Sequence, residues 1–284
     1  MNTINPASFD AESFNVEELR RQLKTQVFGR GDKLHYLPAV DSTNVRAMEL
    51  AFGGSEEGTV VLTDTQFAGK GRRGRRWLNT PGNDALLSVV LHPLFPPHRL
   101  VMPASLAVVN AISEVCNISA TIKWPNDTLI GGRKVSGILI ETSRTPSGQL
   151  IAVLGIGINV NGSIQKLLEE PYVQAPLMAA STTLKAEYGQ YVSREALIAH
   201  LLQQMETDYF ALQEEVSTGS QDASNSILER WRDRLSTLGQ TIEVQQGDAV
   251  VSGVAVDVNK NGELLLRRPS GETVTIMWGD IVRG

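Results

Sequence analysis

Hydrophobic positions follow two different periods along most of the chain, which predicts that helices and strands are interspersed. Residues 85–91 form a continuous apolar run, which is typical of a buried central strand. Residues 193–215 and 227–235 place apolar side chains at helical spacing and predict amphipathic helices. Further helices are predicted over 16–27, 45–52 and 102–116, further strands over 34–37, 59–63, 121–124 and 149–160, and a hairpin over 128–141. Elements mixed in this order predict an α+β domain.

The pattern changes after residue 239, where only short β-rich runs remain. Strands are predicted over 241–244, 249–258, 264–266 and 273–276, and Asn261-Gly262 and Ser270-Gly271 stand where hairpin turns belong. Without a predicted helix, this segment of about 45 residues is expected to form a small β-barrel. We therefore expect an N-terminal extension over 1–30 that is frayed to about residue 15, a larger domain over 31–237 and the barrel over 238–284.

Composition and charge narrow the class of protein. The 284 residues are 42% hydrophobic and 20% charged, which is typical of a globular protein. A net charge of -5 gives no broad basic surface for nucleic acid. The single cysteine, Cys116, excludes an intrachain disulfide and a cysteine metal cluster. The first residues lack a basic start and an apolar run, and the apolar stretches read as too short to span a membrane. We expect a cytoplasmic protein that binds no membrane.

One segment departs from this acidic background: residues 69–77, here called the basic loop, read Gly-Lys-Gly-Arg-Arg-Gly-Arg-Arg-Trp. Glycine allows close approach of the backbone to a ligand, and arginine presents a planar fork to carboxylate or phosphate oxygens. The loop therefore suits a small anionic ligand with an aromatic part, such as a nucleotide. Three other interpretations are a dinucleotide-binding G-x-G-x-x-G turn, a nucleic-acid patch and a solvated loop. The first requires a helix after Gly74, where the sequence instead has turn residues.

Two further segments concentrate candidate chemistry. Residues 123–127 read Lys-Trp-Pro-Asn-Asp and lead through Gly-Gly-Arg-Lys to an apolar strand; by themselves they could form a simple Asx turn. Residues 155–161 read Gly-Ile-Gly-Ile-Asn-Val-Asn. Alternating glycines in a strand indicate close approach of a ligand or of another part of the backbone.

Together with Asp-Ser-Thr-Asn at 41–44, these segments occur in an order that resembles the biotin protein ligases, from about residue 34 to the C-terminus. The resemblance implies a mixed-sheet α+β catalytic domain of the biotin/lipoate ligase type, followed by an SH3-like β-barrel. It also implies that biotin and Mg-ATP form biotinyl-5′-adenylate, from which biotin passes to a lysine of the biotin carboxyl carrier protein of acetyl-CoA carboxylase. The cofactors are then ATP and Mg²⁺. A lipoate or octanoate transferase of the same fold and a biotin-responsive regulator are the alternatives.

The family motifs carry roles over to individual positions. Lys134 and Arg72 are the implied catalytic residues. The positions implied to bind biotin are Ser42, Thr43, Asn44, Gln66, Lys70, Gly71, Arg72, Lys134 and Gly137. The positions implied to bind ATP and the adenylate are Arg72, Arg75, Trp77, Lys123, Asn126, Asp127, Lys134 and Asn159. No metal site is expected from the protein alone, with Asp127 as the one candidate ligand for the metal.

Two features depart from the family pattern. Lys70 stands where the family usually has arginine, so the charge is retained but the bidentate fork is lost. The N-terminal region also reads as too short for the winged helix-turn-helix of the repressor members, so we expect no DNA binding. Whether the chain forms a homodimer is left open.

Overall fold

A computed structural model describes residues 13–168 and 180–283 of the chain. The helices in these ranges are α1 (Val16–Gln22), α2 (Thr43–Phe52), α3 (Val101–Cys116), α4 (Ile164–Leu168), α5 (Leu184–Tyr188), α6 (Arg194–Thr218) and α7 (Asp222–Asp233). The first seven strands are β1 (Leu34–Val40), β2 (Val60–Gln66), β3 (Ala85–Leu91), β4 (Thr121–Lys123), β5 (Asp127–Ile130), β6 (Arg133–Arg144) and β7 (Leu150–Ile158). The last five are β8 (Thr241–Gln246), β9 (Ala249–Val258), β10 (Leu264–Arg267), β11 (Thr273–Ile276) and β12 (Asp280–Arg283).

The first seven strands form one mixed sheet in the order β1-β2-β3-β7-β6-β5-β4. β1 and β2 are parallel and the other neighbours are antiparallel. β3 and β7 are central and apolar on both faces, as their continuous runs predict. The long helices α3, α6 and α7 pack together over the main core, whereas α2 lies over the sheet beside β2, β3 and β7. The predicted α+β class is confirmed.

The remaining strands form a five-stranded antiparallel sheet in the order β11-β10-β9-β8-β12. Gly262 and Gly271 adopt positive φ at the predicted turns. The pattern missed β12, because four residues at an edge show too little alternation to be recognised. Trp124 ties this domain to the larger one, since its indole N–H donates to the Gly262 carbonyl at 3.0 Å.

The N-terminal region differs from its prediction in two places. The helix predicted to reach residue 27 ends at Gln22, and the following backbone N–H groups of residues 26–28 donate to the carboxylate of Glu206 instead. Phe14 is buried and its ring stacks on Tyr36 at 5.7 Å, so the expected fraying is wrong for this residue. Residues 1–12, where fraying was also expected, lie outside the described residues.

The segment Pro97–Cys116, which ends with α3, is long and apolar enough to cross a membrane by length and composition alone. The sequence-based reading of short apolar runs overlooked it. Of its apolar window, 67% is buried inside the fold, which is how a core helix acquires such a composition. Ser105 on this helix accepts a hydrogen bond from the Trp231 indole of α7 at 2.9 Å, so the segment is also joined to its neighbour by a polar contact.

Candidate active site

A cavity of about 700 Å³ opens between the mixed sheet, the basic loop and the start of β12. Every site residue predicted from the sequence lies on its wall: Ser42, Thr43, Asn44, Gln66, Lys70, Gly71, Arg72, Arg75, Trp77, Lys123, Asn126, Asp127, Lys134, Gly137 and Asn159. The wall carries seven cationic side chains and two carboxylates, in a chain whose net charge is -5. A positive cavity in an acidic protein favours an anionic ligand.

Buried polar groups occupy one end of the cavity, where α2 begins. The backbone N–H of Thr43 donates to Gln66 Oε1 at 2.8 Å, and its hydroxyl lies 3.2 Å from the same oxygen. Ser88 of β3, which the sequence did not single out, lies within 2.8 Å of Thr43 Oγ1 and 2.6 Å of Asn44 Oδ1. Because these groups hold one another in place, they offer an ordered set of donors and acceptors to a small polar ligand.

Glu141 of β6 connects this end of the cavity to the basic loop. One carboxylate oxygen accepts from Asn44 Nδ2 at 2.8 Å, and the other lies 3.0 Å from Lys70 Nζ. The compact ammonium group of Lys70, carried on a flexible aliphatic chain, therefore has a protein carboxylate as its partner. Gly155 leaves the room for this arrangement, since a Cβ there would overlap the Asn44 amide.

Trp77 lies against a flat patch made by two paired glycines. Gly137 of β6 and Gly157 of β7 are direct neighbours across the sheet. A Cβ on Gly157 would come within 2.5 Å of the indole, and one on Gly137 within 2.9 Å. The alternating glycines of β7 therefore allow side chains from other segments, Asn44 and Trp77, to approach the strand closely. Gly137, which the resemblance implies to bind biotin, also leaves the space that the indole occupies.

Lys134 projects into the cavity from β6, close to Trp77. Its Nζ lies 2.7 Å from Asp127 Oδ1 and 5.6 Å from the centre of the indole ring. The backbone of Lys134 is held on both sides, since its N–H donates to the Ala180 carbonyl and its carbonyl accepts from Thr182, each at 2.8 Å. The ammonium group is thus presented from a rigid strand, where it can meet an anion.

Asn159 and Lys123 also lie on the cavity wall. The side-chain amide of Asn159 donates to the Thr182 carbonyl at 3.0 Å, so this donor holds the neighbouring segment in place. Lys123 ends β4 at the same wall. Asp127, the one candidate metal ligand, is paired with Lys134, and the described residues contain no cluster of three or more His, Cys, Asp or Glu side chains that could hold a metal.

The basic loop is a compact turn on the wall of the cavity. Gly71 N–H donates to the Arg75 carbonyl at 2.7 Å, and Trp77 N–H donates to the Gly69 carbonyl at 2.9 Å. No helix follows Gly74, which excludes the dinucleotide-binding interpretation. The interpretation as a solvated loop is also wrong for Arg72, whose side chain is only 24% exposed.

Arg72 points from this loop toward the mixed sheet. Its guanidinium donates to Asn126 Oδ1 at 2.8 Å and to the Gly279 carbonyl at 2.9 Å. Burial lowers the pKa of Arg72 from its ordinary value, although the nearby carboxylates Asp280 and Asp127 oppose this effect. The guanidinium remains charged, because arginine is not deprotonated in proteins.

The carboxylate of Asp280, at the start of β12, completes the wall and was not predicted from the sequence. It lies 3.3 Å from Arg72 and 3.4 Å from Arg73, and it is also hydrogen-bonded to Arg75. No motif announces Asp280, which is separated from Arg75 by 205 positions in the chain. Glu141 is the last residue of the predicted hairpin over 128–141, but its partners lie 71 and 97 positions away.

Comparison with known proteins agrees with this geometry. The model of the Biotin/lipoate A/B protein ligase family matches residues 36–161, and that of the biotin protein ligase C-terminal domain matches residues 237–284. The biotin–[acetyl-CoA-carboxylase] ligase of Paracoccus denitrificans is 34% identical over 84% of this chain and 95% of its own. The bifunctional ligase/repressor BirA of Bacillus subtilis is 33% identical over 89% of this chain and 74% of its own.

Solved structures agree as well. The biotin protein ligase of Aquifex aeolicus in complex with biotin and ATP has a TM-score of 0.71 and 25% identity, with 88% of this chain and 99% of that chain covered. The likeness thus extends over the mixed sheet and the C-terminal sheet, and the latter is the expected SH3-like domain. Since relatives of nearly the same length match along most of the chain, the protein belongs to the biotin protein ligase family.

Proposed function

We propose that this chain attaches biotin to a lysine of a biotin carboxyl carrier protein in an ATP-dependent reaction through biotinyl-5′-adenylate. The observation that carries the proposal is the cavity itself. It joins the buried polar cluster around Thr43 and Gln66 to the cations Lys134 and Arg72 within one space of about 700 Å³. Such a volume is ordinary for a site that binds small molecules.

The first step joins two anions. A carboxylate oxygen of biotin forms a bond to the α-phosphorus of ATP, and the bond from that phosphorus to the β-phosphate oxygen breaks, which releases pyrophosphate. Like charges repel, so cations must offset both the approach and the charge of the transition state. Lys134 and Arg72 serve this purpose, Lys134 from β6 and Arg72 from the basic loop.

The second step transfers biotin. The amine of the carrier lysine attacks the acyl carbon of the adenylate, the bond from that carbon to the phosphate oxygen breaks, AMP leaves, and the amine loses a proton to solvent. The basic loop retains the adenylate between the two steps, since its residues line the cavity and carry guanidinium groups that can bind the phosphate. Positioning of this kind accounts for much of the rate of such reactions.

ATP and Mg²⁺ are the cofactors of this proposal. When bound, Mg²⁺ would neutralise charge on the triphosphate. Mg²⁺ is usually held by one or two carboxylates together with substrate phosphates, so a single aspartate is a sufficient protein ligand. Asp127 fits this requirement, because its carboxylate lies on the cavity wall and its ion pair with Lys134 engages one oxygen, Oδ1. Residues 31–237 would then form the catalytic domain and residues 238–284 the C-terminal domain.

The test is to incubate the chain with biotin, Mg-ATP and a biotin carboxyl carrier domain and to measure the mass of the carrier. Biotinylation of one lysine, lost when ATP is omitted or that lysine is changed to arginine, is the expected result. Lipoate and octanoate with a lipoyl domain form a second arm. Transfer of lipoate or octanoate without transfer of biotin would refute the proposal.

That the chain binds no DNA and that it is cytoplasmic remain predictions. Whether it forms a homodimer remains an open question. The acidic net charge supports the first of these predictions. A gel shift with operator-like and generic DNA, with and without biotin, tests it, and a biotin-dependent shift at physiological salt would contradict it.

A further inference from the structure

A single carboxylate of the C-terminal domain lies among three guanidinium groups of the basic loop. Asp280 is paired with Arg72, Arg73 and Arg75 and is only 8% exposed as a residue. The five cations of the loop lie within nine residues, so they repel one another unless an anion lies among them. Asp280 is that anion for Arg72, Arg73 and Arg75, and the C-terminal sheet supplies it.

Backbone acceptors of the same sheet lie beside the carboxylate. The Gly279 carbonyl accepts from Arg72 at 2.9 Å, and the Gln245 carbonyl accepts from Arg73 at 2.9 Å. Asp280 and Gln245 are paired across β12 and β8, so the sheet register holds these acceptors at one position. The Arg73 guanidinium also lies 5.1 Å from the centre of the Trp278 ring.

The charges do not cancel within this cluster. Three guanidinium groups share one carboxylate, so an excess of positive charge still faces the cavity. Arg72 retains its contact with Asn126, in the turn between β4 and β5, at 2.8 Å while it is held by Asp280. The carboxylate thus orients the loop arginines, and their remaining positive charge can still bind a further anion.

We propose that Asp280 is a positioning residue that holds the basic loop over the cavity, so that the C-terminal domain presents Arg72 to the ligand phosphate. This inference rests on the proposed function and adds to it that retention of the adenylate depends on a contact between two domains. Asp280 acts through the arginines and needs no contact with the substrate.

The principal test is hydrogen exchange of residues 69–77 in Asp280→Asn, measured in the full chain without added ligand. The opening equilibrium of the loop is expected to rise about ten- to hundredfold, which is the range for a lost hydrogen bond to a charged group. Asp257→Asn is the matched control, because Asp257 is also in the C-terminal sheet and is paired, at 2.8 Å, with Arg232 away from the loop. This control is expected to exchange like the wild type.

A second variant keeps the inference testable if Asp280→Asn does not fold. The Arg75 side chain is 53% exposed, so Arg75→Gln is expected to fold and to speed exchange of the loop on its own. If Asp280→Asn does fold, adding Arg75→Gln is expected to have less effect than in the wild type, since both changes remove the same contact. Additive effects in the double variant would overturn the inference.

The rate at which the adenylate dissociates and the rate of pyrophosphate exchange together separate this inference from the proposed function. In Asp280→Asn, dissociation of the adenylate is expected to accelerate by at least tenfold, while Asp257→Asn keeps the wild-type rate. Wild-type loop exchange in Asp280→Asn would overturn the inference even in an active enzyme. A wild-type chain without biotin-dependent pyrophosphate exchange would overturn the proposed function, whatever the loop does.

Discussion

Substitution of Gly157 by alanine tests whether the glycine pair beneath Trp77 serves ligand binding. The added Cβ would lie 2.5 Å from the indole Cε2 atom and 2.8 Å from Cζ2 and Nε1. Ordinary contact between carbon atoms lies at about 3.5–4.0 Å, so the indole must move by roughly 1 Å. Gly157 has no positive φ, so alanine causes no backbone strain and the effect acts through Trp77.

The magnitude follows from the cost of overpacking, which is about 1–3 kcal/mol when a methyl group is forced into a packed site. If the indole packs against the nucleotide, a comparable loss of ATP affinity is expected, or roughly 5- to 150-fold. The affinity for biotin is expected to change less, because the polar cluster around Thr43 is held by its own hydrogen bonds with Gln66 and Ser88.

The assay is biotin-dependent exchange of pyrophosphate into ATP, with ATP and biotin varied separately. Trp77→Phe is the partner variant, since a smaller ring leaves room for the alanine methyl group. The double variant Gly157→Ala/Trp77→Phe is expected to bind ATP better than the sum of the single effects predicts. An unchanged KM for ATP in Gly157→Ala, or strictly additive effects in the double variant, would refute the reasoning.

Three further predictions follow from single contacts. Lys134→Ala is expected to lower pyrophosphate exchange by about 100-fold or more, with little loss of thermal stability because the side chain is 33% exposed; wild-type exchange would exclude its role. Lys70→Arg restores a fork beside Glu141 and is expected to slow adenylate release a few-fold, measured as biotinylation of bystander proteins, and unchanged release would contradict this. Burial raises the pKa of Asp84 from 3.8 to about 7, so the free energy of unfolding should fall as pH rises across that interval. Asp84→Asn should remove this part of the slope in urea unfolding, and a slope as steep as that of the wild type would count against it.

The extent to which the fold was predictable depends on how local each signal is. Residues 85–91 and 249–258 were predicted with the bounds that β3 and β9 have, because a run of apolar or β-branched residues carries its own signal. α1 ends before its amphipathic pattern does, since Glu206 of α6 offers the backbone a better partner. β12 depends on pairing with β8 and has little pattern of its own.

The candidate site divides in the same way. Lys134 and Arg72 follow from motifs, since their residue types and spacing already indicate an anionic ligand. Ser88 could be assigned to the polar cluster only from the structure, because β3 places its hydroxyl beside Thr43 and Asn44. Its position in an apolar run gave no reason to single it out from the sequence.

The sequence by itself determined the family, the two kinds of domain and the residues that line the cavity, because these follow from local patterns and ordered motifs. Tertiary structure decided which groups meet there. Asp280 is 205 positions from Arg75 in the chain, and Gly157 lies beneath Trp77 because strands β6 and β7 are neighbours. Strand order and the docking of a second domain set such contacts, and a pattern read along the chain does not contain either.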